Sequence, residues 1–216
     1  MEKLKNVNKE EKKVKAEDDE ESYYGVGSFL LEVVKVFVWA LVIILPIRVF
    51  LFQPFFVQGA SMEPNFKNGD YLVVNELGYK QTDVNILGSH LFTVGMTKDL
   101  KRGEVVVFRY PRNPEQYFIK RIIGLPGEQI KIVDGKVKIF NQENPEGAIL
   151  EESGYLKKDL STGGSIDITL SKDQYFVLGD NRQNSSDSRV WGPLPKNDII
   201  GKVLIRAWPL SKVEIL

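Results

Sequence analysis

Ser61 lies in Gln58-Gly59-Ala60-Ser61-Met62-Glu63-Pro64, just beyond a long apolar segment and just before the first β-rich runs of the chain. Gly59 and Ala60 leave room for another backbone to approach the hydroxyl, and Pro64 stiffens the turn that carries it. A serine in such a place can act as a nucleophile if a base takes its proton. The chain has no cysteine, which excludes a thiol nucleophile and a disulfide framework. Its one histidine, His90, sits in the loop-like run Gly88-Ser89-His90-Leu91. Nothing around Ser61 has the strand-turn-helix pattern of a nucleophile elbow, and a surface loop histidine is the simpler reading of His90. One histidine and no cysteine would leave a hydrolytic metal with carboxylates alone, so a metal centre is not expected.

A lysine is the remaining base. Lys120 belongs to Gln116-Tyr117-Phe118-Ile119-Lys120-Arg121-Ile122-Ile123-Gly124, a run rich in aromatic and β-branched residues that reads as a strand. Period two places Phe118, Lys120 and Ile122 on one face. Burial among such neighbours disfavours the ammonium and lowers the pKa, and a neutral lysine can accept the serine proton. Arg121 cannot serve, because a guanidinium stays charged. Taken from this strand alone, a lysine that snorkels to solvent is the more ordinary outcome.

The elements that would position these residues follow from pattern. At 216 residues one domain with an appendage is expected, and 43% hydrophobic content supports a sizeable core. A net charge of zero gives no nucleic-acid signal. The absence of cysteine fits either side of a membrane. Residues 1 to 21 carry six lysines and eight acids without apolar periodicity, and residues 1–28 read as a disordered charged tail on the cytoplasmic side.

Residues 29–52 read as a transmembrane helix, about 36 Å long at about 1.5 Å per residue. The uninterrupted apolar run covers only Val36 to Ile47. Reaching full length admits Glu32 and Lys35, which can pair three apart on a helix, and Arg48, which can snorkel. Pro46 should kink the far end. Lysines before the segment favour a cytoplasmic N-terminus. A cleaved secretory signal processed at Gly59-Ala60 is the rival reading, and the long acidic stretch before it argues against that. An amphipathic surface helix is excluded by a centre that is apolar all round. Phe50, Phe52, Phe55 and Phe56 then form an interfacial anchor.

Residues 53–216 read as an extracytoplasmic β-rich domain. Strands are expected at Tyr71 to Val74, Glu104 to Tyr110, Tyr117 to Ile123, Gln129 to Val133, Lys136 to Phe140, Ile166 to Leu170 and Gln174 to Leu178. Asp134-Gly135 marks a hairpin turn. Residues 76 to 100 and 141 to 165 are long connections without assigned structure. The fold class is mainly β, with folded-over antiparallel sheets or a partial barrel, after one N-terminal transmembrane helix.

Three stretches resemble boxes of the type I signal peptidases, the Ser-Lys dyad leader peptidases: Ser61-Met62-Glu63-Pro64, Lys120-Arg121-Ile122-Ile123-Gly124-Leu125-Pro126-Gly127-Glu128, and Gly179 through Arg189 (GDNRQNSSDSR). Gly69 to Val74 and Arg102 to Phe108 resemble the family's early strands. The resemblance implies Ser61 as nucleophile and Lys120 as base, with Ser185 holding the lysine by a hydrogen bond. It implies an ion pair between Asp187 and Arg189 that fixes the loop, and another between Asp180 and Arg121 beneath the site. Both acids need such partners, because a free carboxylate beside Lys120 would raise its pKa.

The implied activity is the removal of N-terminal signal peptides from exported preproteins through an acyl-enzyme. Small residues, mostly alanine, are expected at the first and third positions before the cut, in shallow apolar pockets assigned to Phe55, Val57, Met62, Phe66 and Phe118. No metal, cofactor or nucleic acid is implied. The partners are signal peptides and membrane lipid, and the place is the cell membrane, single-pass, with the active site on the extracytoplasmic face. Two departures from the family pattern stand out. Gly59 replaces a serine whose hydroxyl completes the oxyanion hole, and Asn65 replaces a threonine, a change expected to matter less. The alternatives are another Ser-Lys processing or self-cleaving protease, and an inactive anchored β-domain that binds extracytoplasmic partners.

Overall fold

The computed structural model describes residues 26–50, 52–80, 82–86, 89–94, 97–157 and 160–216. The charged tail over residues 1–25 lies outside them. The chain divides into two units, residues 1–48 and 49–216.

The described part of the first unit belongs to α1, Val26–Phe50. It starts three residues earlier than the segment expected from sequence and continues in helical form through Pro46. Gly27–Ile44 within it is long and apolar enough to cross a membrane, and none of that stretch is buried. The end expected at residue 52 is shortened, because Phe52 begins a strand.

The second unit is mainly β. Its strands are β1 Phe52–Phe56, β2 Tyr71–Asn75, β3 Thr82–Ile86, β4 Ser89–Val94, β5 Val105–Tyr110, β6 Asn113–Gly124, β7 Gln129–Val133, β8 Lys136–Phe140, β9 Ala148–Ile149, β10 Ile166–Thr169, β11 Gln174–Leu178, β12 Leu194–Pro195, β13 Ile199–Trp208 and β14 Glu214–Ile215. One short helix, α2, covers Ser188–Trp191. Among the described residues the large sheet runs β1-β2-β13-β5-β6-β11-β12 with β14 on β13. A smaller sheet runs β10-β7-β8-β9, and β3 pairs β4.

Sequence pattern accounts for the core strands. In β2, β7 and β8 buried and half-exposed positions alternate, as a strand with one packed face requires. Asp134, with φ 50°, and Gly135, with φ 73°, make the tight turn between β7 and β8. β5 is buried over four consecutive residues, and β11 over its last four. Both lie inside the large sheet.

Two regions differ from the sequence-based expectation. The segment 76–100 holds the β3–β4 hairpin, and His90, expected in a loop, lies on β4. β13, for which no strand was expected, is a central strand between β2 and β5. Its pairing shifts register between Val203 and Ile205, between Arg206 and Trp208, and between Ile199 and Gly201, so simple alternation is lost along it. Gly201 meets the Asn75 carbonyl so closely that a side chain there could not fit.

Candidate active site

The base comes from the middle of the large sheet. β6 pairs β5 with Lys120 opposite Val106, and it pairs β11 only from Arg121 onward. Among the described residues no strand covers the β11-side edge of β6 from Asn113 to Lys120. β11 ends at Leu178 opposite Arg121, which delivers the following loop, residues 179–187, beside Lys120. Close approach requires a small residue there: a side chain at Gly179 would collide with Ser185 and with the Ser61 carbonyl.

The nucleophile comes from the chain leaving β1. The Val57 amide donates to the Asp70 carbonyl at 2.9 Å, and the Gly69 amide returns a bond to the Val57 carbonyl at 3.0 Å. Gly59 adopts φ +93°, a conformation that disfavours side chains, and its amide donates to Asn68 Oδ1 at 3.0 Å. The turn then closes through Glu63 N to Ala60 O, and Phe66 N to Met62 O follows.

These two pieces bring Lys120 Nζ to 2.8 Å from Ser61 Oγ. The amine also donates to the Ile119 carbonyl at 2.7 Å and lies 5.2 Å from the centre of the Phe118 ring. Lys120 is 3% exposed. Burial pushes its pKa down to about 8, against the pull of the Asp187 and Asp180 charges, which favour the ammonium.

Both acids are occupied. Asp180 receives Arg121 through two bonds of 2.8 and 2.6 Å, and its side chain is fully buried. Asp187, also fully buried, receives Arg189 Nε and Nη2, both at 2.8 Å, and the Gly179 amide at 3.0 Å, and it caps α2. Paired in this way, the carboxylates raise the Lys120 pKa less than free ones would.

Ser185 departs from expectation. Its Oγ is buried and has no hydrogen-bond partner, and the bond to Lys120 that the resemblance implies is not formed in this structure. The side chain packs instead against Gly179, and the lysine is held by Ser61 and by its neighbour's carbonyl.

An open cleft of about 610 Å³ leads to the dyad, with Phe55, Val57 and Phe118 on its walls. Met62 and Phe66, assigned to the pockets from sequence, do not line it. The turn after Ser61 folds both side chains inward, and each is 1% exposed in the core beside Val57 and Leu72. The apolar lining includes Leu72, Val107 and Ile119, which sequence reasoning missed. The first two alternate correctly on expected strands, but only the pairing of β2 and β5 through β13 shows which face meets the cleft. Asn65, expected to matter less, bridges the Tyr155 carbonyl at 2.7 Å and Asp180 Oδ2 at 2.8 Å.

The sequence is similar to those of known proteins. A family profile described as signal peptidase, peptidase S26, matches residues 30–208. A probable signal peptidase I-2 of Synechocystis sp. is 32% identical over 86% of this chain and 77% of its own. Signal peptidase I P of Bacillus subtilis subsp. natto is 35% identical over 87% of this chain and 94% of its own. A crystal structure of a signal peptidase I from Enterococcus faecalis is 30% identical, covers 49% of this chain and 97% of its own, and superposes with a TM-score of 0.40.

Proposed function

The chain belongs to the signal peptidase family, peptidase S26, and on that premise we propose how its own residues remove signal peptides. Ser61 is the nucleophile and Lys120 its general base. The observation that carries the assignment is the 2.8 Å contact between Ser61 Oγ and a buried amine whose pKa is lowered to about 8. At neutral pH part of the population holds a neutral amine next to the hydroxyl it must deprotonate.

A preprotein enters the cleft in extended form, against the open edge of β6 and the chain that follows β1. The carbonyl at the end of the signal peptide lies over Ser61. Ser61 Oγ attacks it while Lys120 takes the proton, and the ammonium then gives that proton to the leaving amine. The ester left on Ser61 is hydrolysed by a water that Lys120 deprotonates. The Ser61 amide serves the developing oxyanion. The Gly59 amide does not supply the second donor, because Asn68 already holds it. Phe55, Val57 and Phe118 limit the side chains before the cut to small ones.

The enzyme is membrane-anchored. We place α1 across the membrane with the N-terminus in the cytoplasm and residues 53–216 on the far face, where exported chains emerge. Protease added to intact spheroplasts should then remove the β-domain, and its complete protection would reverse the orientation. The chemistry is tested by incubating the full-length enzyme in detergent with a peptide that ends its signal sequence in Ala-X-Ala. Wild type is expected to cut after the second alanine, and Ser61→Ala not at all. Equal cleavage by the two proteins would remove Ser61 from the mechanism.

A further inference from the structure

The connection from β9 to β10 is tied at both ends to the smaller sheet. The Leu150 amide donates to the Val137 carbonyl at 2.8 Å, and the Thr162 amide to the Gly135 carbonyl at 2.9 Å. Between these ends the strap reaches the loop that carries Asp180 to Asp187. Glu152 receives Arg182 Nη1 at 3.0 Å and Nη2 at 2.5 Å, and it accepts the Tyr155 hydroxyl at 2.7 Å. Arg182 also donates to Thr162 Oγ1, and its side chain is fully buried.

What the guanidinium holds is the start of the active-site loop. Arg182 Nε donates to the Gly179 carbonyl at 3.0 Å. Between those two residues, Asn181 grips the nucleophile's turn. Its amide donates to the Ser61 carbonyl and its side chain to the Ala60 carbonyl, both at 3.0 Å. A second arm of the strap reaches the same place. The Tyr155 carbonyl takes Asn65, which also bonds Asp180, and the Tyr155 ring lies 4.2 Å from the Arg121 guanidinium.

We propose that residues 150–157 and 160–162 are a positioning element for the nucleophile: Glu152 fixes Arg182, Arg182 fixes the loop, and Asn181 sets Ser61 against Lys120. Stability alone is a poor reason for this arrangement, since a buried ion pair is often no better than apolar residues of the same shape. Two parallel charge-assisted bonds do supply fixed geometry. The nearest user of that geometry is the Ser61 turn, where a displacement of about 1 Å can cost roughly a hundredfold in rate. The smaller sheet thereby acquires a role in catalysis without touching substrate.

The inference rests on Ser61 being the nucleophile. The test therefore uses the full-length enzyme in detergent, with active sites counted by a covalent serine reagent and kcat and KM measured on the signal-peptide substrate. Cleavage by Ser61→Ala at the wild-type rate would defeat the reading of Ser61 itself. For Glu152→Gln, kcat per labelled site is expected to fall about tenfold or more with KM within about threefold. The paired variant Glu152→Leu with Arg182→Met removes both charges without stranding either. It should recover the melting temperature but not kcat. Recovery of both would overturn the proposal, because the pair would then serve folding alone. If neither protein folds, Asn181→Ala decides: a loss of about tenfold in kcat supports the clamp, and a kcat within about twofold of wild type rejects it.

Discussion

Lys120→Met is expected to abolish peptide cleavage and, at neutral pH, to raise the melting temperature by several degrees. Methionine matches the apolar stem and removes the amine, so the base is lost and the core stays filled. General-base assistance alone is worth about 10²–10⁴-fold in rate. The stability gain follows from the shifted proton equilibrium. The folded chain holds this amine at about 8, below its ordinary value of 10.5. Below about pH 8 both folded and unfolded chains carry the proton, and the fold bears the full cost of a buried ammonium. That cost is about 3 kcal/mol at about 1.4 kcal/mol for each tenfold. Between pH 8 and 10.5 the unfolded chain binds more protons, so wild-type stability rises with pH and the advantage of methionine shrinks. Above 10.5 it vanishes. Melting curves at pH 7 and pH 10.5 measure this directly. A variant less stable than wild type at pH 7 would show that the amine is not held at a cost.

Asp187→Ala is expected to be the most damaging single change to the fold. Asp187 is fully buried and holds Arg189, the Gly179 amide and the start of α2 at once. Truncation leaves a guanidinium whose side chain is 11% exposed with no carboxylate, only the Gly163 and Arg182 carbonyls. Breaking a buried pair from one side costs about 3–5 kcal/mol, and a lost helix cap adds about 1 kcal/mol. Asp187→Asn keeps acceptor oxygen and should lose less. Chemical denaturation of the detergent-solubilised enzyme reads the difference. A loss under about 1 kcal/mol for the alanine variant would mean that the Gly163 and Arg182 carbonyls hold Arg189 without the carboxylate.

The candidate site residues were readable through the resemblance of three short boxes to a known family, and the local pattern of each was only suggestive. Ser61 stands in a glycine- and proline-bounded turn. Lys120 interrupts an apolar strand. The loop 179–189 packs opposite charges at short spacing. Strands bounded by strong turns were legible, and Gln129–Val133, Lys136–Phe140 and Gln174–Leu178 have the limits their patterns suggest. What pattern does not carry is which distant segments meet. β13 lost its alternation to register shifts and an interior glycine. The inward turn of Met62 and Phe66 depends on how the chain reverses after Ser61. Asn65 and Glu152 resemble ordinary loop residues until the strap lays Tyr155 and Glu152 against the active-site loop.

Ser61 is activated by a lysine whose pKa burial lowers to about 8. The measurement that bears on it most directly is kcat/KM against pH, from about 6 to 10, for wild type and His90→Ala, since this ratio reports the free enzyme's essential base. A rise governed by one group with its midpoint near 8, identical in the two proteins, is expected. A midpoint near 6.5, lost when His90 is replaced, would contradict it and transfer the role of base to the histidine.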